Sequence, residues 1–320
     1  MSRSPYLAAS LSALVLTGCV SLAPEYKRPV PPVPSALPVS APTAEGSLSG
    51  WQDVVLSEDL RTLIRLSLEQ NRDLRTVAAT VEVARARLVT SRAGFWPSVT
   101  GSGTARMGDT FQDDAAYASA FGDSSSAQIG VSAWELDFFG RIRSTNEAAL
   151  QTYLASVEGE RATKISLIAS VAEAWLQLAA NQELLRLAQQ TAESQNESLS
   201  LTRALFDAGT ASEIDLRRAS ASVAQARAQA AEFEATVRRD LNTLRYLVGT
   251  DLPPSIAAHV DLYPSPVRLD LPVGQRSEAL LHRPDIMQAE HNLLAANANI
   301  GAARAAYFPS ISLTGNAGMV

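Results

Sequence analysis

Residues 92–100 read RAGFWPSVT, and 212 residues later residues 304–312 read RAAYFPSIS. Each copy closes an Ala-rich helical stretch and opens a strand of alternating polarity. Proline cannot continue a helix, so Pro97 and Pro309 make each copy a helix-to-strand junction carrying two aromatics, Phe95-Trp96 and Tyr307-Phe308. A unit made twice predicts a tandem architecture. The first copy is followed by a return strand and a helical hairpin. The second runs only to Val320, so the second repeat reads as incomplete, and a further long proline-free hairpin is expected beyond that residue.

The strands after the two junctions are two-faced. In strand 97–107, Val99, Gly101, Gly103, Ala105 and Met107 face one way, and Ser98, Thr100, Ser102, Thr104 and Arg106 the other. In strand 309–320, Ile311, Leu313, Gly315, Ala317 and Met319 oppose Ser310, Ser312, Thr314 and Asn316. A return strand over 127–137 sets Ala127, Ile129, Val131 and Ala133 against Gln128 and Ser132. Ten alternating residues match the ~9–11 of a tilted transmembrane strand with lipid outside and water inside. A half-buried strand in a soluble sheet alternates in the same way. The repetition, and the aromatics where an interfacial girdle would lie, favour the membrane reading. The polar residues Ser98, Thr100, Ser102, Thr104, Ser310, Ser312 and Thr314 are then the lumen-facing set. Loop 108–126 is acidic and rich in Gly and Ser, and its aspartates match no metal-binding loop.

Elsewhere the pattern is helical. From Ser57 to Phe95, apolar residues recur at three- and four-residue spacings. Proline is absent from residue 98 to residue 252, and a helix over 141–206 would be roughly 100 Å long at ~1.5 Å per residue. In the turn Asp207-Ala208-Gly209-Thr210-Ala211-Ser212, Gly209 suits a left-handed cap, and Ser212 with Asp215 forms a short capping box. In the returning helix 213–248, Leu216, Ala219, Val223, Ala226, Ala230, Phe233 and Val237 form a heptad seam, continued by Leu241, Leu244 and Val248. The returning helix and the first helix, at ~55 Å and ~57 Å, each cover about half the long rod. A hollow cylinder of full-length and stacked half-length helices fits these lengths better than a compact bundle. Residues 51–260 make the first repeat and 261–275 a Pro-rich connector. Residues 276–320 open the second repeat, with helix 277–306 beginning near His282-Arg283-Pro284-Asp285.

Residues 1–18 read as a targeting segment, with Arg3 ahead of the apolar run Leu7 to Leu16. Leu16-Thr17-Gly18-Cys19 resembles the lipobox of bacterial lipoproteins, which implies acylation of Cys19, the one cysteine. By resemblance to lipoprotein sorting, Val20 behind it favours the outer membrane. Seven of the sixteen prolines fall in residues 20–50, predicting an extended tether over 19–50. The net charge of −6 argues against nucleic-acid partners. No apolar run reaches the ~18–20 residues of a membrane-spanning helix, so a crossing has to be a closed β-barrel.

The chain resembles the TolC-like outer-membrane efflux factors of tripartite pumps, and more closely their NodT lipoprotein branch. The residues that carry the resemblance are the lipobox, the twin junctions, Trp134-Glu135-Leu136-Asp137-Phe138-Phe139-Gly140-Arg141, the turn from Asp207 to Asp215, and Leu280-Leu281-His282-Arg283-Pro284-Asp285-Ile286. The implied fold is mainly α with transmembrane β: coiled-coil hairpins forming a periplasmic tunnel, and strands shared in a trimeric 12-stranded barrel. The resemblance further implies a homotrimer that docks on a periplasmic adaptor and, through it, on an inner-membrane RND-type pump. It places Asp207, Gly209, Thr210, Ser212 and Asp215 at the adaptor-facing turn. The gate residues of the family lie mainly in a second hairpin, so none is assigned here.

No catalytic constellation is evident. His259, His282 and His291 lack the spacing of metal ligands, and neither a Walker loop nor a nucleophile elbow occurs. No enzyme activity and no cofactor beyond the Cys19 lipid are expected. A passive exit duct for small molecules is the leading reading. A secretion duct for polypeptides shares the architecture, and an acylated coiled-coil scaffold without a pore is the alternative from a different class.

Overall fold

The computed structural model describes residues 22–30, 50–106, 124–270 and 277–319. The expected targeting segment, Cys19, most of the tether, residues 107–123 and Val320 lie outside the described residues. Helices α1 (Glu58–Gln70) and α2 (Arg72–Ala93) lead into β1 (Val99–Arg106) and β2 (Ser124–Glu135). The 67-residue α3 (Arg141–Asp207), α4 (Glu213–Val248) and the short α5 (Pro254–Ala258) follow. Then come α6 (Pro284–Ala305) and β3 (Ser312–Met319). The residues fall into two compact units. One draws on Thr80–Glu158, Asp285–Val320 and the N-terminal stretch to Pro31, the other on Pro32–Ala79 and Gly159–Pro284.

In the second unit Ser57 caps α1 by accepting the Leu60 amide, and Glu58 and Asp59 complement the positive helix end. Leu60, Leu63 and Ile64 are fully buried, and they pack with Leu167, Val171, Trp175 and Leu178 of α3 and Leu244 and Val248 of α4. Leu252, Ile256 and Val260 close the same core. On α4 the predicted seam is the protected face: Val223, Ala226, Val237, Leu244 and Val248 are buried, while the flanking charges are exposed. The hairpin is pinned by Asn181 Nδ2 donating to Asp240 (2.6 Å) and Arg227 donating to Asn196 (2.8 Å).

The helix expected from Ser57 to Phe95 is in fact two. Asn71 adopts an extended backbone (φ −60°, ψ 130°) between α1 and α2. Its Oδ1 accepts the Leu74 amide (2.9 Å), capping α2, and its Nδ2 donates to the Leu247 carbonyl (2.8 Å). The second bond, 176 residues distant in sequence, makes the break a tertiary feature. Gly249 faces the joint with φ +80°, and a Cβ there would stand 2.6 Å from the Gln70 carbonyl oxygen.

The first unit holds one antiparallel sheet, ordered β1-β2-β3, in which β2 of the first repeat pairs with β3 of the second. Leu136 N donates to Ile311 O (2.8 Å) where the pair ends. The Phe139 ring stacks on Phe308 with centroids 4.5 Å apart. Asp137 caps α3 by accepting the Ile142 and Arg143 amides.

Several boundaries differ from expectation. β2 starts at Ser124, inside the expected loop, because Ser124, Ser125 and Ser126 find partners on β1. β1 and β3 begin two and three residues later than expected, after the proline junctions relax, so Ser98 and Ser310 precede the strands. The helix expected at 277 begins as a 3-10 helix, Ser277–His282, and becomes α-helical only at Pro284, which fits the first helical position because it has no N–H to leave unsatisfied.

Candidate functional site

Paired residues of an antiparallel ladder share a face, so the register sorts the sheet into two. One face carries Val99, Gly101, Gly103 and Ala105, then Ser125, Ala127, Ile129, Val131 and Trp134, then Leu313, Gly315, Ala317 and Met319, apolar or small but for Ser125. The other carries Thr100, Ser102 and Thr104, then Ser126, Gln128, Gly130 and Glu135, then Ser312, Thr314, Asn316 and Gly318. The expected Ala133 is absent from the first set. A bulge between Val131 and Trp134 places two residues opposite Thr314, which returns Trp134 to the apolar face. Ala133 takes φ +48°, and its amide donates to the Thr314 hydroxyl (3.3 Å).

The apolar face is bare. Val99 is 67% exposed, Ile129 65%, Leu313 54% and Met319 79%. A contiguous exposed apolar surface marks contact with a partner or with lipid. Trp96, Tyr307, Phe308 and Ile311, at the helix-to-strand junctions, are exposed too. On the opposite face the hydroxyls are engaged with the sheet itself: Thr104 Oγ1 meets Ser126 Oγ at 2.7 Å, and Thr100 Oγ1 donates to Gly130 O (3.4 Å). Of the seven expected lumen residues, Thr100, Ser102, Thr104, Ser312 and Thr314 share this polar face, while Ser98 and Ser310 stand before it.

The second candidate region is the tip of the α3–α4 hairpin. Gly209 takes φ +77°, and the Gly209 and Thr210 amides donate to Phe206 O (2.8 Å) and Leu205 O (2.9 Å). Ser212 and Asp215 form the predicted capping box: Ser212 Oγ accepts the Asp215 amide (3.2 Å), and Asp215 Oδ2 accepts the Ser212 amide (3.2 Å). The Ser212 hydroxyl bond, then its backbone bond, hold the Asp215 carboxyl below its ordinary 3.8. Asp207, Gly209, Thr210, Ser212 and Asp215 are all exposed. So are Leu205, Phe206 and Ile214, the last 63%, which the sequence reading did not single out. Their signal was available: three large apolar residues sit within nine positions of a polar turn, and Ile214 falls off the heptad seam of α4.

Among the described residues no cluster of three or more His, Cys, Asp or Glu is placed to hold a metal, and no helix is long and apolar enough to cross a membrane. His259 lies 3.2 Å from Asp261 on the surface, and His291 meets Gln151 at 2.7 Å.

A family model described as "Outer membrane efflux protein" matches residues 63–250 and 276–319. The probable efflux pump outer membrane protein TtgC of Pseudomonas putida is 41% identical, over 98% of this chain and 66% of its own length. The cation efflux system protein CusC of Escherichia coli O157:H7 is 36% identical, over 94% of this chain and 65% of its own. The chain thus spans just under two thirds of the length of these relatives. Among solved structures, CusC superposes with a TM-score of 0.77 at 32% identity, covering 94% of this chain and 68% of that one. The open-state MtrE outer membrane channel of Neisseria gonorrhoeae gives 0.76 at 34%, covering 94% and 67%.

Proposed function

The chain belongs to the outer membrane efflux protein family, and from that premise we propose that it supplies the outer-membrane exit duct of an efflux pump. It is an outer-membrane protein of mainly helical fold with barrel strands, arranged as tandem repeats. The observation that carries the proposal is the sheet. Its apolar face is exposed over three strands, and its hydroxyl and amide face lies opposite. Lipid on one side and a water-filled lumen on the other is the environment that leaves neither face unsatisfied.

In this reading three copies of the full-length protein share one 12-stranded barrel, since a sheet with open edges cannot stand in lipid alone. Cys19 carries the acyl anchor. The hairpin tip, with Asp207, Gly209, Thr210, Ser212 and Asp215 flanked by the exposed Leu205, Phe206 and Ile214, meets a periplasmic adaptor joined to an RND-type inner-membrane pump. Relatives named for toluene, antibiotic and cation efflux favour small molecules as cargo. The duct is passive, its energy supplied by the partner pump.

Single-channel recording of the full-length protein in planar bilayers tests the proposal. Stable conductance is expected, and a correctly assembled oligomer that passes no current would overturn it.

A further inference from the structure

The described part of the N-terminal stretch, residues 22–30, is no loose tether. Arg304 Nη1 donates to the Leu22 carbonyl (3.2 Å), and Asn297 Nδ2 donates to the Pro24 carbonyl (2.9 Å). Tyr26 Oη donates to Glu290 (3.5 Å), and the Arg28 guanidinium grips both Glu290 oxygens, with Nε to Oε1 at 2.7 Å. Glu290, Asn297 and Arg304 stand seven residues apart on α6 and so form one stripe along it. The strap runs antiparallel to that stripe. The lengths agree: fourteen helical residues rise ~21 Å, and six extended steps from Leu22 to Arg28 reach ~20 Å. Gly301 is the notch beneath the strap. A Cβ there would stand 2.9 Å from Ala23 Cβ and 2.8 Å from Ser144 Oγ on α3.

We propose that Leu22–Arg28 is a clasp that locks the N-terminal segment onto α6, with its leading end at the α6–β3 junction. Arg304, which holds Leu22, lies three residues before Tyr307. The clasp itself is independent of the lipid.

Trypsin reads the clasp directly, because Lys27 is exposed and sits within it, while Pro29 blocks cleavage after Arg28. Held segments are cut only after local opening. In the full-length protein in outer-membrane fragments opened by sonication, so that trypsin reaches the periplasmic face, cleavage after Lys27 is expected to be at least tenfold faster in Gly301→Ala and in the double variant Glu290→Gln/Asn297→Ala than in wild type. The double variant changes only strap-facing side chains, so it stands if Gly301→Ala misfolds. Cys19→Ala is expected to keep wild-type protection. Equal cleavage in wild type and the double variant would overturn the clasp, as would loss of protection in Cys19→Ala, because the membrane and not α6 would then be holding the strap. An N-terminal peptide that lacks an acyl mass but stays protected would remove the lipid anchor and leave the clasp standing.

Discussion

Two glycines with nearly the same backbone conformation allow a controlled experiment on the joint between α1 and α2. Gly209 (φ +77°) has nothing within 4 Å of where a Cβ would lie, whereas at Gly249 (φ +80°) it would meet Gln70 O at 2.6 Å, Gln70 C at 3.0 Å and Asn71 Cα at 3.2 Å. Alanine at either site incurs the left-handed penalty of ~1 kcal/mol. At residue 249 the obstacle is backbone, and it cannot swing away. Gln70 ends α1, and Asn71 is tied to Leu74 N and Leu247 O. Displacing it strands buried polar groups at a further ~1–3 kcal/mol. Gly249→Ala should therefore destabilise the joint by about 2–4 kcal/mol, roughly a 30- to 700-fold rise in its opening constant. Gly209→Ala should cost the tip only ~1 kcal/mol. Amide hydrogen exchange reads both, at Leu74 for the joint and at Asp215 for the tip. Equal effects at the two sites would refute the close-contact argument.

Asn71→Ala removes the cap and the Leu247 bond together and should cost about 2–3 kcal/mol in the same exchange measurement. Trp175→Ala, at a site only 2% exposed, should cost ~3–5 kcal/mol in denaturant unfolding. Ile129→Lys should lower the yield of assembled outer-membrane protein, given ~2–4 kcal/mol for lysine at mid-bilayer. Gln128→Lys, on the opposite face, should assemble normally, and equal losses would argue against the two-faced assignment. The Glu290 carboxyl is held below its ordinary 4.5, first by the Arg28 hydrogen bond. A depressed carboxyl contributes above its unfolded value and loses that contribution as pH falls through the folded one. Tryptic protection of Lys27 after brief exposure to graded acid should therefore be constant above about 4.5 and decline below it, while Glu290→Gln should lack that decline.

The sequence carried the parts of this structure whose causes are local. Helix 213–248 was legible to the residue because Ser212, Asp215 and Gly209 state its cap and turn within one short segment. The paired strands were legible because an alternation of period two survives without knowledge of the partner. The break at Asn71 was not, since an asparagine inside a helical pattern is only a weak helix former, and what enforces the break is a carbonyl at Leu247. Nor was the bulge at residues 132–133, which register with β3 imposes. The expected start at 277, rather than 284, gave too little weight to Pro284, since proline at a first helical position marks a start. The contacts of residues 22–30 were not legible, because proline content reports an extended backbone and says nothing of what that backbone lies against. At the hairpin tip the turn itself was legible from Gly209, Ser212 and Asp215, whereas the exposure of Leu205, Phe206 and Ile214 shows only in the structure.

The stacked rings of Phe139 and Phe308 stand where the two halves of the tandem meet, and they differ in kind from the ion pairs Glu135–Arg141 and Asp137–Arg143 beside them. Brine screens charge pairs, but it does not touch a stack of two phenyl rings. Where ionic strength swings sharply, this rivet between the halves should hold while its charged neighbours slacken.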